Sequence, residues 1–215
     1  MARSIARNHD EKRASLLKTA AAFFARHGYD RASMSELAKA SGVSKALFYH
    51  YYDSKDALLF GILDGHLRGL AASLEALDLP DAPEARLHLI AFSLLDAYRD
   101  ADAEHKLQLD AMASLPDEAQ RVLKSHQRRL VGIMSDAIEA AAPELFARRP
   151  ELLRPVTMSA FGMLNWFYMW HRRGAGVTRE EYAALASDLI LGGLARVERQ
   201  QPGITRTHQP GQAYP

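Results

Sequence analysis

The stretch that most constrains this chain is residues 33–54, where three helix starts and one enforced turn follow one another closely. Ser33-Met34-Ser35-Glu36 reads as a capping box: the Ser33 hydroxyl accepts from the Glu36 N–H, and the Glu36 carboxylate reaches back. The helix it opens runs through Leu37, Ala38 and Ala40 and must end before Gly42. Ser44 is an N-cap for a further short helix holding Leu47 and Phe48, and Asp53-Ser54 precede a third start. Two helices of about two turns each are too short to persist alone, so they need a platform. Residues 9–27 supply one, with Leu16, Ala20, Phe23 and Phe24 on a single stripe. Gly28 stops that helix, and Tyr29 stands where a hydrophobic C-terminal contact falls. Three helices with a tight glycine turn between the last two define helix-turn-helix geometry.

The rest of the chain reads as helix as well. From Lys55 to Leu77 an amphipathic stripe runs through Leu59, Ile62, Leu63, His66, Leu67, Leu70, Leu74 and Leu77, a rod of about 35 Å at 1.5 Å per residue. Pro80 and Pro83 bound the next break. Further helices are expected near 84–100, 104–113, 117–141, 151–172 and 179–198, separated by Pro116, Pro143, Pro150 and the Gly174/Gly176 turn. No stretch alternates like a strand. The expected fold is therefore all-α. A helix-turn-helix head over residues 1–54 is joined by the long helix to a larger ligand-binding and dimerisation domain over 55–199. Residues 200–215, rich in Gln, Pro, Gly and Thr, are expected to be a disordered tail.

Charge divides along the same line. Residues 1–60 carry ten Lys/Arg against six Asp/Glu, and residues 61–215 carry seventeen against twenty. A basic end on an acidic body points to a polyanionic partner for the head. With no cysteine there is neither a disulfide framework nor a thiolate metal site. No apolar run long enough for a membrane span is evident, and no apolar h-region follows the basic Met1–Arg7 segment. A cytoplasmic protein without membrane contact is expected.

On the second short helix, Leu47, Phe48 and Tyr52 account for an inward face, leaving Lys45, Tyr49, His50 and Tyr51 to donate to phosphates or reach base edges. Lys55 lies in the first turn of the long helix, where the macrodipole disfavours a cation. It is either an exposed lysine without a role or, with the free backbone N–H groups, a seat for a DNA phosphate.

The run from Gly42 through Leu59, GVSKALFYHYYDSKDALL, resembles the N-terminal signature of TetR-family regulators over about residues 10–60. The resemblance implies a homodimer whose two heads enter successive major grooves of a palindromic operator in double-stranded DNA. Position by position it implies phosphate contacts from Ser33, Tyr49, Tyr51 and Lys55. Ser35, Lys45, Ala46 and His50 fall in the base-facing or near-base set, with Ser44 at the start of the same helix. Ala46 and Leu47 stand where the family often has Gly and a small hydroxyl residue, and Tyr52 where Phe is commoner.

From Ala160 to Trp170 the sequence is apolar nearly all round, which requires burial on several sides. Together with residues 179–198 and Gly192-Gly193, it is expected to build a four-helix dimer interface. Part of the cluster can instead be plain core, or can line a ligand pocket. The candidate pocket residues are Leu63, Leu67, Phe92, Leu95, Tyr98, Phe161, Asn165, Trp166 and Met169. Asn165 needs a partner if buried, either within the fold or on a ligand carbonyl. His171-Arg172-Arg173 either complement a helix C-terminus or meet an anionic ligand. The run GMLNWFYMWHR is similar to TetR-type regulators that respond to CoA thioesters of fatty-acid, steroid or phenylacetate breakdown. That similarity implies an acyl- or aryl-CoA effector and no resident cofactor.

Enzyme signatures are missing: there is no G-x-S-x-G, no G-x-x-x-x-G-K-[ST] and no H-E-x-x-H. No metal site is expected from the scattered histidines, and Asp100, Asp102 and Glu104 read as a solvated helix end. The leading expectation is a ligand-relieved, dimeric transcriptional repressor. A DNA-binding regulator without a small-molecule effector, and a helical enzyme, stand behind it.

Overall fold

The computed structural model describes residues 2–171, 174 and 176–199. Arg172, Arg173 and the expected tail at 200–215 lie outside the described residues.

The head forms as its local signals require. Helix α1 (Ala2–His27) ends at Gly28, whose φ of +81° is the left-handed conformation that glycine adopts without strain. Tyr29 then folds back, its ring 5.5 Å from that of Phe24. Helix α2 (Met34–Ala40) carries the complete capping box: the Ser33 hydroxyl accepts from the Glu36 N–H at 3.2 Å, and the Ser33 N–H donates to the Glu36 carboxylate at 3.0 Å. Gly42 turns the chain at φ +66°, and Ser44 caps α3 (Lys45–Tyr51) through the Leu47 N–H at 3.2 Å. Phe24, Leu37 and Phe48 close the small core with no exposure.

Helix α4 (Lys55–Glu75), capped by Ser54, spans about 31 Å. By length and composition it could cross a membrane, against the expectation that no such run exists. Its apolar residues are instead buried inside the protein, from Leu58 through Leu63 and Leu67 to Leu74. It packs on α1, α5 (Pro83–Ala97), α6 (Asp102–Asp110) and α7 (Asp117–Ala141). The body is completed by α8 (Pro143–Arg148), α9 (Leu153–Trp170) and α10 (Arg179–Arg199), with α5 lying along α10 and α7 along α9. No strand occurs among the described residues.

Three details depart from expectation. Pro143 starts a helix rather than only ending one, because its missing N–H falls where no intrahelical bond is needed. The stretch expected as one helix over 104–113 stops at Asp110 and finishes in a 3₁₀ turn at Met112–Ser114. The helix expected to reach residue 100 ends at Ala97, and Asp100 takes a positive φ of 60°.

Candidate nucleic-acid interface and its connection to the body

On α3, Phe48 is fully buried and Leu47 partly so, while Lys45, Ala46, Tyr49 and His50 are exposed on the opposite side. The Lys45 ammonium lies 5.5 Å from the Tyr49 ring, and His50 stands edge-on to Tyr51 at 5.0 Å. Ser33, Ser35 and Ser44 are exposed at the starts of α2 and α3. Ser44 accepts from Leu47 and keeps its proton to donate, whereas Ser33 donates its own proton to Glu36 at 2.7 Å. The structure thus leaves a lysine, a histidine, a tyrosine and serine hydroxyls exposed along α3 and at the starts of α2 and α3, groups that can donate to phosphates and reach base edges.

Lys55 does not join that face. Its ammonium donates to the carbonyls of Tyr29 (3.0 Å), Asp30 (3.3 Å) and Ala32 (3.2 Å), and it sits 4.4 Å from the Tyr29 ring centre. An ammonium has three donors, and all three are spent inside the head. The expected phosphate seat is therefore a clamp that fastens the α1–α2 turn to the start of α4. Beside it the Tyr29 hydroxyl donates to Asp56, and burial, helped by that carboxylate, pushes the Tyr29 phenol well above its ordinary range. Tyr52 is fixed in the same way. Its hydroxyl accepts from Arg13 at 3.1 Å, and its ring lies against Gly61 so closely that an added Cβ would stand 2.8 Å from a ring carbon.

The head is tied to the body through α6. Lys18 of α1 pairs with Glu104 at 3.0 Å and donates to the Asp100 carbonyl at 2.7 Å, and Lys106 donates to the Ala25 carbonyl at 2.9 Å. Glu104 is buried, not part of a solvated helix end as its acidic neighbours imply. The residue between the two ties, His105, points away from the head toward the body interior. Its ring lies 4.9 Å from that of Tyr98 and 5.1 Å from that of Tyr168.

The residues expected to line a pocket separate into four groups. Leu63, Leu67, Leu95 and Phe161 are buried in one continuous core. Tyr98 donates to Asn165 Oδ1 at 2.8 Å, so this asparagine finds its partner within the fold. Phe92 is half-buried and lines an open cleft of about 640 Å³ with Arg99, His171, Thr178 and Arg179. Trp166 and Met169 are misplaced by the sequence reading: they are 58% and 55% exposed and face away from the core. Met158, Trp170, Leu185 and Leu189 are exposed with them on α9 and α10, and nothing stands within 4 Å of a Cβ added at Gly162, Gly192 or Gly193. An all-round apolar helix does not reveal which of its faces its own chain covers. Nothing in the sequence marks His105, Tyr168, Lys18 or Arg179, because single polar residues at ordinary helical positions carry no pattern.

A helix-turn-helix head held on a helical body is the architecture of a DNA-binding regulator. Residues 16–62 match the family of bacterial regulatory proteins of the tetR type, and residues 80–194 match the tetracyclin repressor-like C-terminal domain. A TetR-family transcriptional regulator from Bordetella parapertussis shares 32% identity and a TM-score of 0.77, covering 83% of this chain and 93% of its own. The transcriptional repressor KstR2 of Mycobacterium tuberculosis is 24% identical, over 87% of this chain and 94% of its own length. AibR, solved with isovaleryl coenzyme A and operator DNA, shares the fold at a TM-score of 0.66 and 23% identity, covering 82% of this chain and 96% of its own. The chain belongs to the TetR family of DNA-binding transcriptional regulators.

Proposed function

We propose that the protein works in the cytoplasm as a homodimer on a palindromic operator and lets go when an acyl- or aryl-CoA thioester occupies the body. It acts by binding, without a catalytic step or a resident cofactor. The observation that carries this reading is the position of α6, which holds the head through Glu104 and Lys106 and turns His105 into the body. A ligand that shifts α6 by an ångström or two acts directly on the platform helix α1. Two half-sites about 34–36 Å apart must be met together, so a small change of head pitch costs both contacts.

The dimer is supported by the bare apolar strip on α9 and α10, where Trp166 and Leu189 are 58% and 59% exposed. Strips of this kind mark protein–protein contacts, and the three open glycines let helices approach closely. DNA contact is assigned to Ser35, Ser44, Lys45, Ala46, Tyr49, His50 and Tyr51, with Ser33 joining if its hydroxyl turns from Glu36. The thioester class draws support from the arginine-bearing cleft and from the ligand named for AibR.

The test is fluorescence anisotropy on DNA from upstream of the protein's own gene, titrated with acetyl-, isovaleryl- and phenylacetyl-CoA. Release by one thioester, and not by free CoA, is the expected result. Binding that none of them releases removes the thioester class. The filled core around Leu63, Leu67 and Leu95 would then favour a regulator tuned by a protein partner.

A further inference from the structure

His105 is 2% exposed; its ring faces the Asn165 backbone, yet neither nitrogen makes a hydrogen bond of good geometry among the described residues. Buried polar atoms are almost always satisfied, so a fully enclosed imidazole without a well-formed hydrogen bond asks what it is kept for. Beside it lies a slot of about 10 Å³ bounded by Tyr98, Asp102, Asn165, Tyr168 and Arg179. That is room for a single oxygen-sized group. Burial lowers the affinity of His105 for a second proton, against the smaller opposing effects of the Asn165 carbonyl and Asp102. A neutral imidazole offers one N–H and one lone pair, which suit a carbonyl or hydroxyl oxygen better than an ion.

Arg179 lines both this slot and the cleft of about 640 Å³ outside it. Its Nε donates to the Leu95 carbonyl at 3.1 Å and its guanidinium lies 5.8 Å from the Phe167 ring centre. No carboxylate pairs with it among the described residues, whereas Arg99 across the cleft is bonded to Asp96, and Glu180 stands on the rim. The cleft is of a size that holds a small organic molecule.

Resting on the effector-responsive reading above, we propose that His105 and Arg179 form the effector's recognition site. His105 takes a neutral carbonyl or hydroxyl oxygen at the ligand's tip, Arg179 takes an anionic group, and the ligand's body fills the cleft beside Phe92. Because His105 sits between the two residues that hold α1, the same contact that recognises the tip also moves the head.

The probes are 4-hydroxybenzoate, benzoate and phenol, titrated into the full-length dimer by calorimetry. The first carries both groups, and the others lack the tip or the anion. The expected result is that 4-hydroxybenzoate binds about tenfold tighter than either, since a lost partner at a buried group costs on that scale. It should also shift the His105 ring nitrogens in ¹⁵N-histidine-labelled wild-type protein. In His105→Phe the advantage over benzoate should fall below about twofold, and in Arg179→Met the advantage over phenol should vanish. Equal binding of the three probes, no binding, or unmoved His105 resonances would overturn the proposal. So would a His105→Phe protein that keeps the advantage. DNA does not enter these measurements. Failure of the effector-responsive reading would show separately, as operator binding that no small molecule releases.

Discussion

Replacing Lys55 with methionine separates a structural clamp from a phosphate contact. The substitution keeps the stem and removes an ammonium that donates to three carbonyls at 3.0–3.3 Å. A hydrogen bond to a charged group contributes about 1.5–3 kcal/mol. Three bonds sharing one half-buried ammonium do not add, and the freed carbonyls can rehydrate, so about 2–3 kcal/mol for the set is the realistic scale. The contact with Tyr29 adds about 0.5–1 kcal/mol. Removing a cation from the first turn of α4 returns about 0.3–1 kcal/mol. The net loss is about 2–3 kcal/mol, or roughly 4–12 °C in Tm for a chain of this size. Thermal unfolding followed by circular dichroism reads it directly. Below the transition, the slope of log K against log [salt] for DNA binding should match wild type, because no phosphate contact is lost. A variant of wild-type stability whose slope falls by about one would refute the clamp and restore Lys55 to the DNA.

Other predictions follow from single contacts. Gly61→Ala forces a methyl to within 2.8 Å of the Tyr52 ring, and should cost about 1–3 kcal/mol in urea unfolding; Gly65→Ala, which meets nothing within 4 Å, serves as the control. Trp166→Glu with Leu189→Glu should sediment as a folded monomer with wild-type helicity, since neither residue is in the core; a dimer in that variant would place the interface elsewhere. His66 is pushed down to about 4 by burial first, then by His105 and Lys18. Its neutral form is the one the fold prefers, so the stability it confers is complete above pH 6.5. That stability should fall by roughly 3 kcal/mol between pH 6.5 and 4, where the unfolded chain binds the proton and the folded one does not. His66→Gln should flatten that portion of the urea-derived stability profile. His50→Ala should cost about 1–3 kcal/mol on a selected operator and much less on random DNA, whereas loss on both alike would make His50 a backbone contact.

Legibility from sequence followed the range of the forces involved. The capping box at Ser33, the stop at Gly28, the turn at Gly42 and the caps at Ser44 and Ser54 act within four residues, and each stands in the structure where its local chemistry puts it. The clamp at Lys55 is not legible in sequence because its partners are backbone carbonyls some 23–26 residues away, and no residue type announces a carbonyl. Glu104 is hidden for a similar reason: beside Asp100 and Asp102 it looks solvated, and only the approach of Lys18 across the head–body junction explains its burial. Trp166 and Met169 show a third limit. Periodicity distinguishes apolar from polar faces, but α9 has no polar face, so its inward and outward sides emerge only when α5, α7 and α10 are in place.

The measurement that tests the central claim most directly is selection of binding sites from a random DNA library by the full-length protein. It is followed by salt titration of the winner with wild type and with a Lys45→Ala/His50→Ala variant. The account predicts an inverted repeat whose half-sites lie about one helical turn, 34–36 Å, apart. It also predicts a steep decline of affinity with salt and loss of sequence preference in the variant while its fold and dimerisation persist. Failure to enrich any sequence, or an enriched site that the variant binds as tightly as wild type, would contradict the assignment of α3 as the reading helix.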